Sequence, residues 1–194
     1  EYSELVDLFY GIQLTKIVSE KMIVESLRPE MCFWMSLPIV NYNNDPFDEL
    51  HECIQWGLQP EKLEGENAWY NEKTKKKEDI DKGIRFWSLP NILIIDLKRF
   101  DMRGRKLRQQ VQCPLENIDF SKYVDGYNSS SYIYDMYAIC NHSGGLMGGH
   151  YTAFIKNANS KWYLFNDTSV KEVNKEKLIT PNSYCFFFRK RQLV

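Results

Sequence analysis

With 194 residues, 43% of them hydrophobic and 26% charged, the chain can bury one domain-sized core and is too apolar for a disordered segment. Twenty-five basic against 26 acidic residues leave a formal net charge of −1, which gives no electrostatic footing for nucleic acid or an anionic membrane. No apolar run approaches the roughly 20 residues of a membrane-spanning helix.

The first ten residues are acidic and aromatic and lack the basic start and apolar core of a signal peptide. The chain opens on Glu1 rather than Met, so it is expected to begin inside a longer protein. Residues 3–10 read as a short helix: Ser3 can cap it, Leu5, Leu8 and Phe9 share one face, and Gly11 stops it. Residues 12–18 alternate well enough for a strand, and the apolar stretch 31–40, closing on Pro38, for another. A turn cluster at 41–45 leads through Asp45-Pro46 into a helix expected over 47–56, with Phe47, Leu50 and Ile54 on one face. His51 lies on that helix and reads as a surface histidine. The lysine-rich stretch 61–81 reads as a solvated hairpin or loop.

Residues 84–100 carry the strongest β signal, with Ile92 to Ile95 apolar enough for a central strand. Arg103-Gly104-Arg105 reads as a hairpin tip, and the basic run Arg99, Arg103, Arg105, Lys106, Arg108 as its solvated edge. Four more strands are expected at 132–140, 151–156, 162–165 and 184–188, separated by turn residues at Gly144-Gly145, 157–159 and Pro181-Asn182. Residues 173–179 can hold a helical turn. With no repeat and no linker, the fold class is α+β, mostly antiparallel, in a single domain.

Five cysteines, Cys32, Cys53, Cys113, Cys140 and Cys185, are odd in number and widely spaced. That argues against a disulfide scaffold and for a reducing setting, the cytoplasm or the nucleus. Each reads as a small buried hydrophobe.

The chemistry concentrates around His142 and His150. Between them, Ser143 to Gly149 holds four glycines in seven residues, a composition that predicts a flexible loop open to close approach of another backbone. His150 then stands at a rim, where a neutral imidazole can take a proton from a thiol or hydroxyl. Such a base needs an orienting partner. The strand 162–165 ends in Asn166-Asp167, and a hairpin would bring these level with His150, where either could accept the Nδ1 proton. Read alone, such a string is more often a plain hairpin.

The combined strings resemble the histidine box of the ubiquitin-specific proteases. They are Asn141-His142-Ser143-Gly144-Gly145, Gly148-Gly149-His150-Tyr151-Thr152-Ala153 and Lys161-Trp162-Tyr163-Leu164-Phe165-Asn166-Asp167. Leu89-Pro90 through Leu97-Lys98-Arg99-Phe100, Met35-Ser36-Leu37-Pro38 and Asp7-Leu8-Phe9-Tyr10-Gly11 are similar to further family strings, in the family's order. The resemblance implies a papain-like cysteine protease fold, with 11–88 largely fingers and 89–194 largely palm, 1–194 forming part of a catalytic domain. It implies deubiquitination: thiol-dependent hydrolysis after the last glycine of ubiquitin. His150 would be the general base, Asn166 its orienter with help from Asp167, and residues 144–149 a blocking loop over the ubiquitin tail. His142, Gly148, Gly149, Tyr151 and Phe100 would contact that tail; for His142, Tyr151 and Phe100 ordinary packing is an equal reading. The implied partner is ubiquitin or ubiquitinated proteins, with no nucleic acid, no membrane and no cofactor, and the chain is expected to be a monomer.

The match departs from the family twice. None of the five cysteines lies in a Gly-Asn-Thr-Cys box, so the nucleophile is expected upstream of Glu1, in a thumb this chain lacks, and the chain alone is expected to be inactive. An alternative is a catalytically inactive ubiquitin-binding module. The two Cys-x-x-Cys pairs of many relatives fall here at Ser19 and Met22 and at Asn71 and Thr74, which are not zinc ligands of the usual kind. Elemental analysis of the purified protein should therefore show no stoichiometric zinc; one zinc per chain would overturn this reading of the fingers.

Overall fold

The computed structural model describes residues 3–191. Two helices, α1 (Glu4–Phe9) and α2 (Leu50–Gly57), accompany fourteen strands. The first seven are β1 (Gly11–Ser19), β2 (Val24–Cys32), β3 (Trp34–Pro38), β4 (Glu61–Leu63), β5 (Trp69–Asn71), β6 (Lys76–Glu78) and β7 (Ile80–Ser88). The others are β8 (Ile92–Lys98), β9 (Ile118–Asp119), β10 (Ile133–Gly145), β11 (Gly148–Lys156), β12 (Trp162–Asn166), β13 (Ser169–Val173) and β14 (Ser183–Lys190).

These strands form an eight-stranded sheet in the order β13-β12-β11-β10-β14-β8-β3 with β9 beside β10, a four-stranded sheet β2-β1-β7-β4, and the hairpin β5-β6. Every strand pair is antiparallel except β3 with β8. The expected α+β class with mostly antiparallel sheet is what the chain adopts. No helix among the described residues is long and apolar enough to cross a membrane.

Strand parity explains the core. Leu93, Ile95 and Leu97 of β8 and Phe186 and Phe188 of β14 point to one face and are buried there, with Met35 and Leu37 of β3 on the same side. Helix α2 lays Leu50, Cys53 and Ile54 onto this layer, and Phe120 packs edge-on against Tyr134 and Phe188. Each such aromatic or aliphatic side chain removed from water contributes about 1.5–3 kcal/mol.

Some boundaries differ from expectation. The stretch 31–40 divides between the end of β2 and β3, and β2 itself, carrying Pro29 and four charged or polar neighbours, is a strand the sequence pattern does not predict. Helix α2 begins at Leu50 rather than residue 47, because the preceding residues are committed to the sheet side. Phe47 N donates to Ile39 O at 3.0 Å, and Leu50 N to Gln112 O at 2.9 Å. Glu49 and Glu52 then close a reciprocal capping box. Strand β13 was also unanticipated, whereas a single 3-10 turn, Lys175–Lys177, falls inside 173–179. Strand β3 and helix α2 lie within 11–88 in sequence and pack with the larger sheet.

At the far end of the four-stranded sheet, the turns at Ser19–Met22 and Asn71–Thr74 are held by hydrogen bonds. Asn71 Oδ1 accepts from Lys73 N at 2.9 Å, while Asn71 Nδ2 and Thr74 Oγ1 donate to the two carboxylate oxygens of Glu78 at 2.8 and 2.5 Å. The Thr74 hydroxyl first, then the Asn71 amide, holds the Glu78 carboxyl below its ordinary value. A carboxylate whose folded value is depressed stabilises the folded state fully above the unfolded value and loses that contribution as pH falls through the folded one. Protection of the Lys73 and Thr74 amides, corrected for intrinsic exchange, should therefore decline below about pH 4.5. In Glu78→Gln that pH dependence should flatten; an unchanged profile would show that the carboxylate does not pin the turn.

Candidate active site

The glycine-rich segment is not a loop. Strands β10 and β11 pair through it, Ser143 opposite His150, Gly144 opposite Gly149 and Gly145 opposite Gly148, so that only Leu146 and Met147 remain as the turn. Glycine is required by approach as much as by conformation. Gly144 sits at φ +128°, and a Cβ there would lie 2.5 Å from Gly149 Cα. A Cβ on Gly149 would lie 2.5 Å from Ser143 O and closer still to His142 Nε2. The hairpin is thus packed backbone to backbone, with one bare strip over the His142 ring.

His150 is exposed at the start of β11. Its Nε2 donates to Asn166 Oδ1 at 2.6 Å. The nitrogen engaged is Nε2, not Nδ1 as expected, and register gives the reason. Ala153 pairs with Phe165, so Asn166 falls level with position 152 and lies diagonal to His150. Only the far nitrogen of the ring spans that diagonal. Nδ1 is then the free acceptor, the lone pair a general base uses. Asp167 begins the turn into β13 at φ +49° and, unlike Asn166, makes no hydrogen bond to His150 among the described residues.

His142, eight residues earlier, is buried beneath the hairpin. Tyr151 lies 4.7 Å, Tyr184 5.7 Å and Phe100 6.0 Å from its ring, centroid to centroid. Lys106 Nζ reaches both its carbonyl and its Nδ1, the latter at 3.1 Å. Burial and the Lys106 cation hold this imidazole below its ordinary value. Tyr151 keeps 57% of its surface exposed on the hairpin, next to exposed Gly148 and Gly149, whereas Phe100 is half-buried. The residues singled out in sequence thus fall into two groups on opposite faces of the hairpin, His142 with Tyr151, Phe100 and Gly149 on one and His150 with Asn166 on the other.

Two functional-looking side chains were misjudged. Arg99 is fully buried, not part of a solvated edge. Its Nε donates to Ser183 O at 2.5 Å and its Nη1 to Leu107 O and Gln109 O at 3.1 and 2.8 Å; no carboxylate accompanies it. Burial pushes it down to about 10, so it remains a cation at neutral pH. Lys106 is half-buried and also held down by burial, with Arg99 and Arg108 adding to the effect. The signal for Arg99 was available: it continues the alternation of Leu93, Ile95 and Leu97. Arg103, Arg105 and Arg108 are exposed, as expected.

None of the five thiols suits a nucleophile. Cys53 and Cys113 are buried; Cys32, Cys140 and Cys185 are half-buried, so the reading of all five as core residues holds for two. Burial raises all of them, Cys53 and Cys185 to about 12, the reverse of what an activated thiolate needs. Among the described residues, none bonds to His150.

Comparison with known proteins places this geometry in context. The profile of the family described as Ubiquitin carboxyl-terminal hydrolase matches residues 2–188. Human Ubiquitin carboxyl-terminal hydrolase 15 is 36% identical over 151 residues, covering 75% of this chain and 15% of that protein. Ubiquitin carboxyl-terminal hydrolase 10 of Arabidopsis thaliana is 37% identical over 145 residues, 73% of this chain and 16% of that protein. The chain thus spans about a sixth of the length of these curated relatives. A solved SAGA DUB module, with Ubp8, Sgf11, Sus1 and Sgf73 bound to monoubiquitin, superposes with a TM-score of 0.82 at 25% identity, over 97% of this chain and 42% of that one.

Exchanging Arg99 for Met should remove three hydrogen bonds, one to a buried and two to part-buried carbonyls, each worth about 1 kcal/mol or more, partly offset by relief of the buried charge. We expect a net loss of about 2–4 kcal/mol in urea unfolding. A loss below about 0.5 kcal/mol would mean the clamp is replaceable.

Proposed function

The chain belongs to the ubiquitin carboxyl-terminal hydrolase family, and we propose that it carries the base half of a thiol-dependent deubiquitinase. The observation that carries this reading is the 2.6 Å bond between His150 Nε2 and Asn166 Oδ1 at the mouth of the glycine hairpin. It fixes the ring and leaves Nδ1 free to accept a proton.

In this reading the nucleophilic thiol comes from a segment outside this sequence, since its own five thiols are raised rather than activated. His150 Nδ1 takes the thiol proton as sulfur attacks the carbonyl carbon of the last ubiquitin glycine. The same proton is returned to the leaving lysine amine as the C–N bond breaks, leaving a thioester. Water, deprotonated by His150, then attacks the thioester and frees the ubiquitin carboxylate and the thiol. Asn166 holds the ring through both half-reactions. Gly148, Gly149 and Tyr151 offer a narrow strip where an extended Gly-Gly tail can lie against backbone. The larger sheet would act as palm and the four-stranded sheet as fingers.

A base with a dedicated orienter favours an enzyme over a pure binding module, which needs neither. Labelling with ubiquitin that carries a thiol-reactive C-terminal electrophile separates the two. The intact protein should gain one ubiquitin, and His150→Ala should lower turnover by at least about 10³-fold while ubiquitin binding persists. Binding without labelling would make it a binding module, and full turnover in the variant would remove His150 from the mechanism.

A further inference from the structure

The second histidine carries more than packing. After β8 the chain turns back on itself: Leu107 N donates to Arg99 O at 2.7 Å, and Phe100 bridges to Lys106. This return places the Lys106 ammonium against β10, where it donates to the carbonyl and to the Nδ1 of His142. An ammonium has three donors and no acceptor, so the nitrogen facing it must be bare. A neutral imidazole then carries its one proton on Nε2.

That nitrogen is the one lying against Gly149, where any side chain would overlap it. Among the described residues it has no hydrogen-bond partner, and it is not sealed off from solvent. The groups around the ring favour the neutral form. Tyr151 from β11, Tyr184 from the start of β14 and Phe100 from the return flank it, and the charge facing it is Lys106, with Arg99 and Arg108 behind. None of these is an acid that would stabilise an imidazolium.

We propose that Lys106 is a positioning residue for the glycine channel: it fixes His142 in the Nε2–H tautomer, so that this N–H, at the channel floor beside Gly149, donates to a backbone carbonyl of an extended diglycine tail. The inference rests on the ubiquitin-tail reading given above and adds a residue that acts through another. It also explains why a lysine, rather than an exposed basic residue on the same turn, is drawn half under the sheet.

The test uses the intact protein as wild type, Lys106→Met and Lys106→Arg, and two probes: ubiquitin, and ubiquitin lacking its last two glycines. Loss of one well-placed donor should weaken binding of whole ubiquitin by about tenfold in Lys106→Met while leaving the truncated probe unchanged. Lys106→Arg, still a donor-only cation, should recover part of that loss. In protein labelled with 15N-histidine, the His142 ring of the wild type, assigned by its absence from a His142→Gln spectrum, should show a bare Nδ1 and a protonated Nε2 from pH 6 to 8. In Lys106→Met the ring should populate the other tautomer or titrate in that range.

Equal weakening of both probes, no weakening of either, or a protonated Nδ1 in the wild type would overturn the inference. If wild-type protein binds both probes alike, the tail reading fails instead, and the imidazole spectrum still decides whether Lys106 sets the tautomer.

Discussion

A guanidinium buried without a carboxylate organises this end of the molecule. Arg99 leaves β8 on the core side, where the alternation of that strand sends it, and there it meets only backbone oxygen: Ser183 at the start of β14, and Leu107 and Gln109 in the return segment. A cation in such a place is costly unless its donors are met. Here two of its nitrogens are met by carbonyls that would otherwise be orphans themselves, and Nη2 is left without a partner. The arrangement ties the end of β8 both to the return segment a few residues on and to Ser183, 84 residues away. Because the return segment is pinned at 107 and 109, Lys106 is delivered to His142, and His142 in turn sets the floor under the glycine hairpin. Site geometry is therefore inherited from a core contact one layer below.

The two histidines of the hairpin differ because their strand positions differ. Ser143 opposes His150 and His142 opposes Tyr151, so the two imidazoles emerge on opposite faces of the β10–β11 ribbon. One face is the packed side with Lys106, Tyr184 and Phe100; the other opens at the rim towards Asn166. A neutral amide orients His150 without setting a negative charge against the ring. The carboxylate next door, Asp167, is turned into the β12–β13 connection by its left-handed backbone. Adjacent residues thus contribute differently because the strand ends between them.

Much of this was legible in sequence where periodicity and burial agree. The helix around Ile54 and the strand ending near Phe188 show one apolar face and lie near their expected bounds, while the stretch 84–100 divides between β7 and β8 and the strand expected to end at Cys140 runs on to Gly145. The failures share a cause: partner strands, not local pattern, decided the outcome. Strand β2 carries Pro29 and several charges and β13 is mostly polar, yet each is an edge strand with one neighbour, where such residues are tolerated. The four glycines look like a loop because glycine weakens an isolated strand, but opposite one another they allow a closeness that no other residue permits. Arg99 follows the parity of β8 into the core, where its charge alone would send it to solvent.

The distribution of thiols and bases gives the arrangement its chemical sense. A nucleophilic thiol needs a nearby cation or base and access to solvent, and the five thiols here have burial and, for Cys185, the neighbouring Asp96 carboxylate instead. The His150 imidazole, bonded through Nε2 to Asn166, stands at the rim, where among the described residues none of these thiols bonds to it. In the proposed mechanism, base and nucleophile therefore meet across a boundary rather than within this sheet. A rim histidine held by a single amide suits that requirement: its Nε2 is anchored to the sheet at Asn166, and its Nδ1 faces outward to whatever surface brings the thiol.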